Sequence, residues 1–149
     1  MNRKEADTRA DLIDPKLKQN GWGEVDKSYI RREEICPGRI MTGGKRGTTV
    51  YSDYVLVYQG RKLAVVEAKR EELSYTEGVR QTKDYATRLK CRIAYATNGH
   101  EIYQIDMLTG DESLVDDYMS PEQLWDYTFG GSGSTVEPGF ASVWRKRFA

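Results

Sequence analysis

The stretch YSDYVLVYQGRKLAVVEAK, residues 51–69, decides the reading of the fold. Tyr51 to Tyr58 is rich in Tyr and Val, and Leu63 to Ala68 is a short continuous apolar run. Both read as strands, joined by a turn around Gln59-Gly60-Arg61. The run Leu63-Ala64-Val65-Val66 lacks polar alternation, which implies a strand covered on both faces and central in its sheet. That strand ends on two charges. Glu67 and Lys69 flank Ala68, and residues i and i+2 of a strand share a face, so a carboxylate and an ammonium stand side by side. Asp53, at the start of the antiparallel partner, lies at the same end of the hairpin. A strict two-residue turn at Gln59-Gly60 would pair it with Val66, whereas a three-residue turn or a bulge pairs it with Glu67. A catalytic reading requires the latter.

Two carboxylates converging on one point are oxygen ligands for a hard cation, and Mg²⁺ takes one or two of them while keeping several waters. Asp53 and Glu67 are therefore candidate metal ligands. Such a cation polarises a phosphodiester and lowers the pKa of a bound water, while Lys69 orients or deprotonates that water and offsets charge on phosphorus. The plainer alternative is a salt bridge between Glu67 and Lys69 at a strand end, since an Asp followed by Glu-x-Lys arises by chance in many sequences. Downstream, Ser74 or Thr76 can start a helix whose positions Val79, Thr82, Tyr85, Ala86 and Leu89 repeat every three or four residues and which ends near Lys90. Gln81 and Tyr85, four apart, share one face of it and can lean over the site, although core packing would also explain Tyr85. Glu5 is equally balanced between a further metal ligand and a favourable charge at a helix N-terminus.

Further out, Ala6, Ala10, Ile13 and Leu17 have helical spacing, but Pro15 predicts a break. Asp14-Pro15 would then cap and start a second short helix ending at Asn20-Gly21. A strand is possible near Val25 to Arg31. The glycines at 43, 44 and 47 do not make a phosphate-binding loop, because Arg39 stands where the first glycine is required and Arg46 follows Lys45; a mobile loop is expected. Ile93 to Thr97 and Glu101 to Ile105 read as strands around the turn Asn98-Gly99-His100, and Pro121 opens a helix over Glu122 to Tyr127. The expected class is α/β, with a mixed central sheet of about four to five strands flanked by helices. Residues 1–128 form one domain, and 129–149 form a Gly/Ser-rich linker and boundary segment.

Composition removes several functions. With 23 basic and 23 acidic residues the net charge is zero, so any DNA contact must come from local patches such as Arg31-Arg32, Lys45-Arg46, Lys69-Arg70 or Arg145-Lys146-Arg147. A single histidine, His100, argues against Ser-His-Asp or Cys-His catalysis, and no CxxC pair suits zinc. There is no membrane-length apolar run. Cys36 and Cys91 lie far apart with no signal peptide before them, which points to a reducing cytoplasm.

Taken together, these motifs resemble the N-terminal domain of the R (restriction and motor) subunit of type I restriction enzymes, within the PD-(D/E)xK nuclease superfamily. The resemblance covers most of residues 5–127. It is carried by Glu5-Ala6-Asp7-Thr8-Arg9, Ile13-Asp14-Pro15-Lys16-Leu17 with Gly21-Trp22, Ser52-Asp53-Tyr54-Val55, Glu67-Ala68-Lys69, and Gln81 with Tyr85. The Gln-x-x-x-Tyr element resembles an extra motif of RecB-like nucleases. The resemblance implies a restriction-endonuclease-like fold and Mg²⁺-dependent cleavage of double-stranded DNA, for which Mn²⁺ can substitute. Asp53 and Glu67 would bind metal, with Glu5 a further ligand; Lys69 would be catalytic, assisted by Gln81 and Tyr85. It also implies partners: ATP-driven motor domains of the same subunit, and methylation and specificity subunits. No ATPase motif is present, so ATP would act only through the absent motor, and the chain looks like an excised nuclease module or a truncated product. Ser52 stands where the superfamily name expects Pro, a residue that contributes backbone shape rather than chemistry there, so the departure weighs little. The rival readings are a free-standing Mrr-like or repair endonuclease of the same fold and a non-catalytic DNA-binding or assembly module.

Overall fold

The computed structural model describes residues 9–36, 50–69 and 78–130. Within them six strands form one sheet in chain order: β1 (Ser28–Cys36), β2 (Val50–Tyr58), β3 (Arg61–Ala68), β4 (Ile93–Thr97), β5 (Ile102–Asp106) and β6 (Glu112–Val115). Neighbours are antiparallel except β3 and β4, which run parallel. A parallel pair needs a crossover, and the connection between those two strands carries a helix, Val79–Leu89.

Before the sheet, a π-helical turn, Arg9–Ile13, runs directly into helix α1, Asp14–Gln19. The break expected at Pro15 is therefore a change of helical pitch and not an interruption. Pro15 lies in the first turn of α1, where a missing N–H costs no intrahelical bond. Asp14 does not cap the helix; its carboxylate is drawn away to Arg32 and Tyr54. The stop at Asn20-Gly21 is as expected, with Gly21 at φ 103°. The crossover helix Val79–Leu89 is α2, ending on Lys90 in the left-handed conformation. Helix α3, Pro121–Phe129, has a reciprocal capping box between Ser120 and Gln123.

The sheet is wider than the four to five strands expected. The strand read near Val25 to Arg31 is shifted to Ser28–Cys36, and its run Arg31-Arg32-Glu33 is exposed, as suits an edge. Strand β6 has mostly exposed side chains, so no apolar alternation marked it. The Gly-rich segment, the proposed helix start at Ser74 or Thr76, and the linker beyond Gly130 lie outside the described residues, as does Glu5.

The hairpin register is settled by two devices. A two-residue turn at Gln59 (φ 50°) and Gly60 (φ 78°) pairs Tyr58 with Arg61. Such a left-handed pair matches the twist of the flanking strands. A register shift between Leu56 and Val57 then inserts Leu63 unpaired, so that Leu56 meets Ala64 and Tyr54 meets Val66. One step further puts Asp53 opposite Glu67. The bulge also lets adjacent Leu63 and Ala64 both join one core layer, with Ile13, Leu17, Trp22, Tyr54, Val66 and Leu124. Val65 packs on the other face with Tyr85, Ala86 and Leu89 of α2. As the unbroken apolar run implied, β3 is buried on both faces.

Candidate active site

The β2–β3 ladder stops after Tyr54 and Val66, and from there the two carboxylates replace backbone acceptors. Asp53 Oδ2 accepts the Ala68 N–H at 2.8 Å. In return Glu67 accepts the Asp53 N–H, at 3.1 Å to Oε2 and 3.4 Å to Oε1. Each acid caps the opposite strand, which fixes both side chains at one point without a loop. β3 stays anchored on its other side, where the Lys69 N–H donates to the Thr97 carbonyl at 2.8 Å.

Ser52 takes part as well. Its hydroxyl donates to Glu67 Oε2 at 2.6 Å and it is fully buried. Where a proline would contribute backbone shape alone, the serine that stands here also has a donor that orients the acid. Glu67 is 3% exposed. Burial first, and then the negative charge of Asp53, push its carboxyl up to about 8, against the opposing effects of Ser52, the Asp53 N–H and Lys69. Asp53 Oδ1 is paired with Arg9 Nη1 at 2.9 Å.

Lys69 leads into a second chain of contacts. Its Nζ donates to Gln81 Oε1 at 3.2 Å, and Gln81 Nε2 donates to the Tyr85 hydroxyl at 2.5 Å. The Tyr85 ring is buried in the α2 layer, so this residue both packs the core and anchors Gln81. Lys69 reaches Gln81 by passing over Gly78. A Cβ there would lie 2.6 Å from Lys69 Cε and 3.6 Å from its Cγ and Cδ.

The structure therefore brings Asp53, Glu67, Lys69, Gln81 and Tyr85 to one end of the hairpin. Sequence reading gave no role to Ser52, Arg9 or Gly78, whose contributions depend on three-dimensional proximity. Of the basic patches, Arg31 and Arg32 face acids, at 3.8 Å to Glu34 and 2.8 Å to Asp14. Lys45-Arg46, Arg70 and Arg145-Lys146-Arg147 lie outside the described residues.

Among the described residues, no group of three or more His, Cys, Asp or Glu gathers into a metal cage. Two convergent carboxylates nonetheless suit Mg²⁺, which keeps most of its waters. The Asp53 charge that, after burial, helps to push the Glu67 carboxyl up and the guanidinium drawn to Asp53 are both consequences of two acids meeting at one point. No helix among the described residues is long and apolar enough to cross a membrane.

No family model matches the chain. It is 30% identical over 135 residues to the endonuclease subunit of the type I restriction enzyme EcoAI from Escherichia coli, an alignment covering 83% of this chain and 16% of that subunit. It also superposes, with a TM-score of 0.73 and 39% identity, on a fragment assigned to an HsdR subunit of a type I restriction enzyme from Vibrio vulnificus YJ016. That match covers 85% of this chain and 25% of the other. The chain thus spans between about a sixth and a quarter of the proteins it matches. The fold is restriction-endonuclease-like, and the chain is a homologue of one segment of the HsdR endonuclease subunits of type I restriction enzymes.

Proposed function

We propose that this domain is the Mg²⁺-dependent endonuclease of a type I restriction system, hydrolysing phosphodiester bonds of double-stranded DNA. The observation that carries this is the convergence of Asp53 and Glu67 beside the Lys69–Gln81–Tyr85 chain at one end of a buried hairpin. A scaffold needs no second carboxylate next to a buried one. Asp53 and Glu67 would hold the cation, which when bound supplies Lewis acidity to the phosphate and a more acidic water. The Ala68 N–H fixes Asp53, and the Ser52 hydroxyl fixes Glu67, so neither acid needs to reorganise. Lys69 keeps N–H donors beyond the one given to Gln81, for the attacking water and the phosphate oxygens. Water oxygen bonds to phosphorus as that water gives up a proton to solvent, one ester P–O bond breaks, and the leaving oxygen takes a proton from solvent. The motor domains of the same subunit and the methylation and specificity subunits are the proposed partners, and the cytoplasm the proposed compartment.

The test is nicking of supercoiled plasmid with Mg²⁺ or Mn²⁺ by the parent chain, Asp53→Ala and Lys69→Ala, with folding checked by circular dichroism. Parent cleavage is expected, with a loss of about 10²- to 10³-fold for Lys69→Ala and more for Asp53→Ala. Should the isolated chain not cut, the same substitutions belong in the motor-bearing assembly. Full restriction by both folded variants there would sink the proposal.

Gly78 supplies a finer test. Its backbone, φ −116° and ψ 8°, needs no glycine, so Gly78→Ala should leave stability unchanged within about 1 kcal/mol. The added methyl must displace the flexible end of Lys69. Cleavage is expected to fall about tenfold with the melting temperature unchanged. Full activity would show that the ammonium is not placed by its contact with Gln81.

A further inference from the structure

Both oxygens of Asp53 are engaged, Oδ2 by the Ala68 N–H at 2.8 Å and Oδ1 by Arg9 Nη1 at 2.9 Å. A divalent cation on Asp53 must therefore share or take the place that Arg9 holds. We propose that Arg9 changes partner during the reaction. It neutralises Asp53 while no divalent cation is bound and, once the cation carries that charge, turns to a non-bridging oxygen of the DNA phosphodiester. This rests on the nuclease reading of the site and assigns Arg9 a role in it.

Three observations carry the exchange. First, the Arg9 side chain is 27% exposed and borders a cleft of about 210 Å³ that it shares with Asp53, so its guanidinium has room to turn. Second, Arg32 across the cleft is tied down, 2.8 Å from Asp14 and with its guanidinium 5.6 Å from the Tyr54 ring centroid. Arg9 differs in that its partner is itself a candidate metal ligand. Third, among the described residues that line this cleft acids outnumber bases, with Asp14, Glu33 and Asp53 against Arg9 and Arg32. A phosphate is unwelcome there until a cation has offset one acid. The guanidinium fork then matches phosphate geometry, pairing through two parallel N–H donors.

The experiment uses the parent chain, Arg9→Gln and Arg9→Met, which remove the charge at similar length, and Arg9→Lys, which keeps it. Mn²⁺ affinity is measured by calorimetry without DNA. Affinity for a duplex is measured by fluorescence anisotropy in Ca²⁺ and in EDTA. Both uncharged variants are expected to bind Mn²⁺ about three- to tenfold more tightly than the parent, with Arg9→Lys close to it. They should bind duplex about fivefold more weakly in Ca²⁺, with no change in EDTA. Unchanged or weaker Mn²⁺ binding by the uncharged variants overturns the exchange and leaves the nuclease reading standing, as does an equal loss of duplex affinity with and without Ca²⁺. A parent chain that binds no Mn²⁺ removes both.

Discussion

A Glu67→Gln variant is expected to melt higher than the parent chain when no divalent cation is present, and to lose DNA cleavage by about 10³-fold. The two effects have one cause. Glu67 is buried beside Asp53, and its carboxyl is pushed from 4.5 up to about 8 by burial and then by that neighbouring charge. A carboxyl whose pKa is higher in the folded than in the unfolded chain binds its proton more tightly when folded. Parent stability therefore falls as pH rises from about 4.5 to about 8 and is level above that. Gln carries no charge, so the variant lacks this decline and gains about 1 to 2 kcal/mol on the parent at pH 8. Mg²⁺ should raise the parent's melting temperature and leave the variant's nearly unchanged. Thermal melts from pH 5 to 9, with EDTA and then with Mg²⁺, separate the outcomes. A variant that melts with or below the parent at every pH would show that Glu67 is an ordinary structural acid.

This double behaviour marks what sequence could and could not reveal about the site. The strands of the hairpin, the burial of β3 and the need for a bulge were legible because they follow from apolar patterning and from the parity of strand register. The meeting of Asp53 and Glu67 at one end of the hairpin, with Lys69 next along the strand, was legible for the same reason. The mutual capping of Asp53 and Glu67 was not, because it depends on where the ladder stops. Ser52 was underrated because its value lies in a hydroxyl aimed at Glu67 across the strand pair. Arg9 and Gly78 are more distant cases. They lie 44 and 9 residues from Asp53 and Lys69, and only packing brings each to its partner. Strand β6 was missed because an edge strand with exposed side chains carries no hydrophobic period. Pro15 was read correctly as opening a second short helix, and what the sequence did not reveal is that the preceding turn is helical too, so the two elements run on without a gap.

The largest loss of stability is expected away from the site, at Asp106→Ala. Arg92 precedes β4 and Asp106 ends β5, and both are almost wholly buried. Arg92 Nε and Nη2 donate to the two carboxylate oxygens at 3.1 and 2.9 Å, and its Nη1 donates to the Tyr127 carbonyl in α3 at 2.8 Å. Asp106 further accepts from the Tyr127 hydroxyl at 2.6 Å and from the Leu108 N–H at 2.9 Å. Burial alone would raise the Asp106 carboxyl, but these donors, Arg92 foremost, hold it down at about 2. Removing the acid leaves a buried guanidinium without its carboxylate, at a cost of about 3 to 5 kcal/mol. The double change Arg92→Met with Asp106→Leu should cost much less, because it leaves no buried charge behind. The depressed carboxyl also sets an acid limit. Its stabilisation is complete above its ordinary value of 3.8 and is lost as pH falls toward about 2, a step that Asp106→Ala should lack. Urea titrations of the three proteins at pH 7, and of the parent and Asp106→Ala between pH 2 and 5, measure both effects. If Asp106→Ala unfolds at nearly the parent's urea concentration, the pair does not tie α3 to the sheet. If instead it is destabilised yet still cleaves DNA at low temperature, the hairpin end that holds Asp53 and Glu67 is set by β2 and β3, and the Arg92–Asp106 pair secures only the far side of the sheet.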